Sequence, residues 1–370
     1  MNFRIKLRWW WHVVAENAQN SVLRRSNHDT DDKNDDEKSK QENWENKNYE
    51  KPAPKKDKQL HGERKPRKII NWKEYNESLV QRGNFTLWIA DDVIEHWLHE
   101  NSECKVGRPF TYSDLAIETF LTIREFFRTT YRATEGFGRS LANLMNVDIA
   151  IPDFTSLQKR AASLGFDIDV TKYHGKINVV VDSTGLKVFG EGEWKMRTHG
   201  KSKRRTWRKL HLMIDPATHQ IVAELLTDNG VHDSQAVKTL LNETKNDLER
   251  LYGDGAYDPR EVRDELEKRN IKQVIPPRED AVLQNRKDGC RKERDAAIRT
   301  IEKIGRKKRK RRTGYHRRSL SETGMYRMKT IFDGNLKNRK FENQQTEVRL
   351  RCQLLNKLST RGMPTSVPSE

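Results

Sequence analysis

From about residue 68 to 169, apolar side chains recur every three to four positions, which is the period of amphipathic helices. The pattern predicts helices over 89–99, 112–127 and 133–145. The second of them follows a Thr111-x-x-Asp114 start signal. This part of the chain is therefore predicted to be all α-helical.

A fourth helix is predicted to begin near Asp153 or Thr155, directly after Pro152. We expect it to carry four polar side chains outward: Ser156, Gln158, Lys159 and Arg160. Short helices separated by turns are typical of helix-turn-helix DNA-binding modules. A helical bundle that only braces a neighbouring domain is the alternative that the pattern leaves open.

Between residues 176 and 227 the period changes to two, as in half-buried strands. Strands are predicted over 177–181, 187–189, 209–214 and 221–227. The turn residues Asp215-Pro216-Ala217-Thr218 connect the third strand to the fourth. The pattern thus predicts an antiparallel meander.

Helices and strands alternate after the meander. We expect a helix from Asp233 or Ser234 to about Leu241, followed by a strand that leads to Asp254. A second helix is expected to be capped at Asp258 and to end near Arg269. A strand over 273–275 and a late helix that carries Glu322 complete the order. This order is that of an α/β, RNase H-like domain, a mixed sheet flanked by helices. In such a domain the ends of two neighbouring strands and one helix meet at a single point.

The charge of the chain indicates its class of partner. The 370 residues include 72 Lys and Arg against 54 Asp and Glu, a formal net charge of +18, and only 34% are hydrophobic. Such an excess of cations is the electrostatic footprint of a protein that binds phosphate backbones. Charge alone does not distinguish DNA from RNA, and a basic protein kept soluble by its charge is the alternative.

Composition also divides the chain. Residues 1–67 change from basic and aromatic to acidic and polar, and they predict a disordered leader. We expect a helical DNA-binding region over 68–170, a catalytic domain over 171–358 with a basic insertion at about 278–314, and a flexible tail over 359–370.

The cysteines and the apolar segments exclude several classes of protein. Cys104, Cys290 and Cys352 are odd in number and far apart, so they predict neither a disulfide framework nor a zinc site. No apolar stretch approaches the roughly 20 residues that span a bilayer. We expect a protein of a reducing compartment that does not bind membranes.

Four reactive side chains near the carboxyl end have a fixed spacing: Tyr315, Arg318, Glu322 and Lys329. In one helix at 100° per residue, they would lie within an arc of about 60° and form a polar stripe. Ser319-x-x-Glu322, however, is also a capping box. That motif would start the helix at Ser319 and leave Tyr315 and Arg318 before it.

This spacing resembles the Tyr-Arg-Glu-Lys signature of bacterial insertion-sequence DDE transposases. Two aspartates fit the same family: Asp182 ends the apolar run from Ile177, and Asp254 lies in Leu-Tyr-Gly-Asp-Gly-Ala-Tyr-Asp. The resemblance covers about 68–358. Thr129-Thr130-Tyr131-Arg132 departs from it, since members of the family usually carry Leu-Pro-Leu-Arg there.

The resemblance implies an enzyme that cuts one strand at each transposon end and joins the freed 3′ hydroxyl to target DNA. Asp182, Asp254 and Glu322 would be the catalytic residues and would hold two Mg²⁺ ions, with Mn²⁺ as a substitute. Its partners would be double-stranded DNA with terminal inverted repeats and target DNA. The protein would act as a homodimer or larger assembly. It would be cytoplasmic and associated with the bacterial nucleoid. An RNase H-like nuclease without strand transfer and a non-catalytic DNA-binding regulator are the alternatives.

Other side chains are candidates for DNA contacts. Arg318 and Lys329 could clamp phosphates, although Arg318 could instead pair with Glu322 within the helix. Tyr315 could stack on a base or pack on the helix edge. The remaining candidates are cations with an interleaved aromatic residue: Lys203, Arg204, Arg205, Trp207, Lys159 and Arg160. Lys303 to Arg312 holds eight Lys or Arg in ten positions and predicts a further basic contact surface or a solvated loop.

Overall fold

The computed structural model describes residues 67–83, 93–101, 107, 109–165, 168, 170, 175–188, 207–283, 292–362 and 364–368. The predicted leader before Arg67 lies outside the described residues, as do Lys203, Arg204 and Arg205. Among the described residues, no helix combines the length and the apolar character needed to cross a membrane.

Four helices precede the sheet, and side-chain caps set the starts of three of them. These helices are α1 (Trp72–Gln81), α2 (Asp114–Phe126), α3 (Tyr131–Met145) and α4 (Phe154–Ala161). Ser113, Thr130 and Asp153 each accept a hydrogen bond from a backbone N–H in the first turn of α2, α3 and α4. Such a cap contributes about 1 kcal/mol. The structure confirms helices over most of 112–127 and 133–145 and a helix that begins after Asp153.

The predicted helix over 89–99 is wrong for the described residues 93–99. Residues 93–96 form a turn, and Leu98 pairs with Tyr112 in an isolated antiparallel bridge. Trp97 explains the difference: its indole N–H donates to the carbonyl of Ala150 at 2.7 Å, and its ring packs on Phe120. Tertiary contacts of this kind override a helical pattern.

The two ends of the described chain pair with each other. Strand β1 (Arg67–Ile69) runs antiparallel to β8 (Ser366–Pro368), and the guanidinium of Arg67 donates to the Ser366 side chain and carbonyl. Residues 366–368 of the predicted tail are thus part of a two-stranded sheet. The region before the sheet also contains a strand, so the prediction of an all-α region is not confirmed.

A mixed six-stranded sheet forms the centre of the protein. Its strands are β2 (Ile177–Val188), β3 (Trp207–Ile214), β4 (Ile221–Asp228), β5 (Leu248–Tyr252), β6 (Lys272–Val274) and β7 (Asn335–Leu336). The order is β4-β3-β2-β5-β6, with β7 paired to the far end of β2. β3 is antiparallel to both β2 and β4, whereas β5 and β7 run parallel to β2, and β6 runs parallel to β5. The predicted meander is confirmed.

The helices after β4 have the following bounds: α5 (Asp233–Glu243), α6 (Arg260–Lys268), α7 (Lys292–Ile304), α8 (Arg306–Arg312), α9 (Ser319–Phe332) and α10 (Phe341–Thr360). Short 3₁₀ turns lie at Gly255–Tyr257 and Tyr315–Arg318. Asp258 does not cap α6, because its buried carboxylate instead accepts two hydrogen bonds from Arg263.

The two faces of the sheet are covered by different helices. One buried apolar cluster joins β3 and β4 to α2, α4, α9 and α10, and another joins β2 and β5 to α5 and α6. Because strand side chains alternate between faces, Val179 and Val181 enter the second cluster while Val180 lies on the opposite face. Asp182 and Ser183, the next two residues, consequently point to opposite sides of the sheet.

The strands predicted separately over 177–181 and 187–189 form one continuous strand over the described residues 177–188. Ser183-Thr184-Gly185 reads as a break in the sequence, yet all three residues pair with β3. A Cβ at Gly185 would lie 3.2 Å from the Trp207 ring. The glycine therefore marks the close approach of an aromatic ring rather than a turn.

Two glycines of α3 provide a test of this packing. Gly138 faces the core, where a Cβ would lie 2.3 Å from the Phe120 ring, whereas a Cβ at Gly136 would contact nothing within 4 Å. We expect Gly138→Ala to lower the free energy of unfolding by about 1–3 kcal/mol through overpacking. Gly136→Ala, the matched control, should raise it by about 0.5–1 kcal/mol through helix propensity. Urea unfolding of both variants measures the difference, and equal effects would contradict the packing of α3 on α2.

Candidate active site

The parallel pairing of β2 and β5 brings two aspartates close together. Val180 is paired with Tyr252, and Asp182 and Asp254 each lie two residues beyond that pair. β5 ends there while β2 continues to Val188, so Asp254 follows the end of β5 and lies beside Asp182 in the middle of β2. Asp254 accepts a hydrogen bond of 2.8 Å from the Ala256 N–H, which fixes its side chain.

The Asp182 carboxylate is 17% exposed and has three hydrogen-bond donors. Its Oδ1 accepts from the Ser183 backbone N–H at 2.9 Å. Its Oδ2 accepts from the Ser321 hydroxyl at 2.9 Å and from the Arg318 guanidinium at 3.2 Å. The last two donors belong to the start of α9, so this helix is joined directly to the end of the apolar part of β2.

The same guanidinium reaches the third predicted carboxylate. Arg318 Nη2 donates to Glu322, which lies one helical turn later and is 60% exposed. The intrahelical pair left open by the sequence is therefore present together with a contact to Asp182. One cation bridges two carboxylates that are 140 residues apart in the chain.

The sequence predicts either one helix that includes Tyr315 or a helix that starts at Ser319, and the observed start of α9 shows which is correct. The helix begins at Ser319, and Tyr315 and Arg318 lie in the preceding 3₁₀ turn, so a single helical stripe over 315–329 is wrong. The capping-box motif predicts the correct first residue of the helix. The hydrogen bonds of a capping box do not form, because the Ser319 hydroxyl donates to the His316 carbonyl instead.

The three predicted acids all influence the pKa of a neighbouring group. Burial raises the pKa of Asp182, the charge of Asp254 acts in the same direction, and the bonds from Ser321 and Ser183 and the charge of Arg318 oppose it. Burial also raises the pKa of the Tyr315 phenol, to which Asp254, Asp182 and Glu322 all add. All three carboxylates thus act on one phenol beside Arg318.

The donor set suits a divalent cation in chemistry and charge. Carboxylate oxygens are the ligands preferred by Mg²⁺, and Arg318 already places one positive charge between Asp182 and Glu322. In the described part of the chain, however, no three acidic, histidine or cysteine side chains lie close enough to hold one ion. Asp182 and Asp254 are neighbours by strand register, and the Arg318 guanidinium lies between Asp182 and Glu322.

Behind Asp182, on the other face of β2, lies a polar cluster that the sequence analysis missed. The Ser183 hydroxyl donates to the Asp233 carboxylate at 2.9 Å, and the Lys209 ammonium lies 3.2 Å from the same oxygen. His211 is fully buried 3.8 Å from Asp233, and its other ring nitrogen lies 3.0 Å from the Thr227 hydroxyl. The available signal was the alternation of β2, which places Ser183 opposite Asp182.

Tyr257 connects this cluster with the acids. Its ring is buried, and its hydroxyl has no hydrogen-bond partner among the described residues. Burial raises the pKa of the phenol, and the charges of Asp233, Asp182 and Asp254 raise it further. An uncharged phenol therefore lies among three aspartates.

The side chains predicted to contact DNA differ in their exposure to solvent and in their neighbours. Lys329 and Lys159 are exposed. Tyr315 packs against Val180, Tyr252 and Val274, with the Lys310 ammonium 5.0 Å from its ring centroid. The packed position left open by the sequence is thus the one observed.

Trp207 and Arg160 are also in contact with protein. The ring of Trp207 lies 5.5 Å from the Lys187 ammonium. The prediction that Arg160 points outward is wrong, because it is 8% exposed, pairs with Asp114 and lies over the Phe110 ring. A cation with an acidic partner far away in sequence cannot be distinguished from a surface cation by spacing alone.

The basic run from Lys303 to Arg312 is helical rather than a solvated loop. Gly305, with a φ of +81°, separates α7 from α8. Arg306 donates to the carbonyls of Pro277 and Arg278, and Arg309 is buried. The other cations of α8 are exposed and keep this surface strongly basic.

Comparisons with known proteins agree with this geometry. A family model described as a transposase DDE domain matches residues 173–357, and a second one with the same description matches residues 80–191. The first of them covers the whole sheet together with Asp182, Asp254 and Glu322. The chain belongs to the DDE transposase family.

Two solved structures show low similarity to the chain. A cryo-EM structure of piggyBac transposase in a synaptic complex with hairpin DNA is 12% identical, with a TM-score of 0.35, and the match covers 77% of this chain and 75% of that one. A pre-cleavage Mos1 transpososome is 12% identical, with a TM-score of 0.19, over 72% of this chain and 84% of that one.

The buried histidine gives the site a pH-dependent stability. Burial lowers the pKa of His211 to about 4, although the charge of Asp233 opposes the shift. Between pH 6.5 and 4 the unfolded chain therefore binds a proton that the folded chain does not, and stability falls as the pH falls. We expect this one group to cost about 2–3 kcal/mol by pH 4.5.

The measurement is urea unfolding of the wild type and His211→Gln at pH 7 and pH 4.5. Glutamine retains a partner for Thr227 but does not titrate, so the variant should lose about 2 kcal/mol less than the wild type on acidification. The other titrating groups cancel in the comparison. Equal losses in the two proteins would show that His211 is not held neutral.

Proposed function

We propose that this protein catalyses metal-dependent strand cleavage at the ends of a transposon and transfer of the resulting 3′ hydroxyl to target DNA. The observation that supports the proposal is that the Arg318 guanidinium pairs with both Asp182 and Glu322, while the parallel register of β2 and β5 places Asp254 beside Asp182. The strand order supports an RNase H-like core.

Asp182 and Asp254 would hold the divalent cations, and Glu322 would complete the set once Arg318 leaves it. Bound Mg²⁺ or Mn²⁺ would supply charge stabilisation at the attacking and leaving oxygens. In the first step a water oxygen bonds to phosphorus, the bond to the 3′ oxygen breaks, and a 3′ hydroxyl and a 5′ phosphate result. In the second step the oxygen of that hydroxyl bonds to a phosphorus of target DNA, its proton is lost, and the bond from that phosphorus to the target's own 3′ oxygen breaks, which leaves a 3′ hydroxyl on the target strand.

Arg318 has a second role in the proposed reaction, which is to bind a DNA phosphate. In the structure described here, its guanidinium neutralises Asp182 and Glu322. When cations replace it, its planar fork is free to pair with a DNA phosphate bidentately. The exposed Lys329, two turns further along α9, would hold a neighbouring phosphate as a point charge.

The partners follow from the same chemistry. We propose double-stranded DNA with terminal inverted repeats and target DNA as substrates, with a homodimer or larger assembly joining the two transposon ends. Exposed cations of α8 would add contacts to the phosphate backbone, as would Lys203, Arg204 and Arg205.

The test uses a plasmid that carries the DNA flanking this reading frame, with Mg²⁺ or Mn²⁺. We expect Asp182→Asn and Asp254→Asn to reduce strand cleavage at least about 1000-fold, since charge stabilisation by the cations supplies several kcal/mol. DNA binding should remain in a gel-shift assay. Chelation of the metal should abolish cleavage by the wild type as well.

Glu261→Gln is the matched control, since it removes an exposed carboxylate on α6 away from the acids. A precleaved transposon end, offered with target plasmid, separates strand transfer from hydrolysis. Cleavage without joined product would favour a nuclease, and DNA binding without any metal-dependent cleavage would favour a regulator.

A further inference from the structure

A cavity of about 530 Å³ lies at the opposite end of α9 from the acids. Its wall is formed by the α2–α3 turn, the end of α9 and the segment that leads into α10. Arg128, in the α2–α3 turn, donates to the carbonyls of Thr330 and Ile331 at 2.9 and 2.6 Å. The cavity is therefore tied to the last turn of the helix that carries Glu322.

The charged side chains that line this cavity are mostly cations. Five are positive and one is negative: Arg124, Arg128, Lys337, Arg339 and Lys340 against Asp333. Arg339 and Lys340 are exposed at its edge, whereas Arg124 is 4% exposed. Ligand cavities of several hundred Å³ are large enough for a small organic anion such as a nucleotide.

Two of these cations present unpaired donors. The Lys337 ammonium and Arg124 Nε are both buried and have no hydrogen-bond partner among the described residues. A buried cationic donor without a partner is costly unless a ligand supplies the acceptor. Burial accordingly lowers the pKa of Lys337.

The nearby carboxylates do not satisfy these donors. Glu125 and Glu347 both pair with the fully buried Arg351, and Glu125 also pairs with another nitrogen of Arg124. Three cations thus share two carboxylates inside the protein. Among these five side chains the cations exceed the carboxylates by one, and two of the three cations, Arg124 and Lys337, line the cavity.

Helix α3 adds to the positive potential. Thr130 and Tyr131, at its start, line the cavity, and the helix continues for 15 residues. The amino end of a helix carries a partial positive charge that favours anions. Tyr131 also lies beneath the Arg124 guanidinium, 4.3 Å from its ring centroid, and holds it in place.

We propose that this cavity binds a phosphate group. Two sources share that chemistry: a backbone phosphate of bound DNA and the phosphate of a free nucleotide. The DNA source rests on the proposed function. Glu322 and Phe332 are ten residues apart in α9, or about 15 Å, so a backbone phosphate would lie about four base pairs from the cleaved bond.

The first arm of the experiment uses the full chain with inorganic phosphate, thymidine monophosphate and thymidine as probes in calorimetry. We expect both phosphates to bind and thymidine not to bind. Lys337→Met and Arg339→Gln should each weaken phosphate binding at least tenfold. Lys337→Met removes an unpaired buried cation and should fold at least as well as the wild type, and Arg339→Gln changes an exposed side chain.

The second arm measures the salt dependence of DNA binding. If the phosphate belongs to DNA, Arg339→Gln should lower the slope of log K against log salt by about one, while the matched control Lys268→Gln, an exposed cation on α6, leaves it unchanged. Loss of thymidine monophosphate binding with an unchanged slope would assign the cavity to a free nucleotide.

The proposal is overturned if the wild type binds neither phosphate probe and the DNA slope is the same in all variants. Failure of the proposed function has a different signature. In that case the acids at the start of α9 show no metal-dependent cleavage, while phosphate binding in the cavity and its loss in Lys337→Met are unaffected.

Discussion

The structure depends on how a partly buried carboxylate, Asp182, is held beside a second one, Asp254. Two like charges side by side on neighbouring strands repel each other, and burial strengthens the repulsion. Arg318 and Ser321 oppose it from α9, and both reach the same oxygen of Asp182. The position of α9 on the sheet is thus coupled to the charge of the site, because the acids would be left without a counter-charge if the helix moved.

Much of this arrangement could be predicted from the sequence because local patterns encode it. The apolar run that ends in Asp182 and the strand before Asp254 are visible in single segments, and so is the Ser-x-x-Glu start of α9. Parallel pairing of β2 with β5 then brings the two aspartates side by side. The contact of Arg318 with Asp182 could not be predicted, since its geometry depends on a 3₁₀ turn that replaces the expected helix.

The errors have one physical cause, which is pairing between residues far apart in the chain. Trp97 bonds to Ala150 and stops a helix, and Arg160 turns inward to Asp114. The glycine at 185 accommodates an aromatic ring from the next strand. In each case the local pattern indicates a propensity, and a tertiary contact determines the structure instead.

The helical region before the sheet shares a core with it. Helices α2 and α4 enter the same apolar cluster as α9 and α10, and the buried pair between Glu125 and Arg351 joins α2 to α10. A buried ion pair adds little stability compared with apolar residues of the same size, but losing one partner is very costly. The pair therefore fixes the orientation of α2 on α10. Helices α2 and α4 therefore share one hydrophobic core with the sheet.

The charged side chains at the two ends of α9 match the direction of its helix dipole. Its amino end carries Glu322 in the first turn, where the helix dipole favours a negative charge, and Arg128 donates to the carbonyls of its last turn, where the dipole favours a cation. The same helix therefore connects a carboxylate site with a cationic cavity about 15 Å away. A change in charge at either end acts on one rigid element packed on the sheet. The spacing between the two sites is consequently fixed by the length of the helix rather than by the loops that flank it.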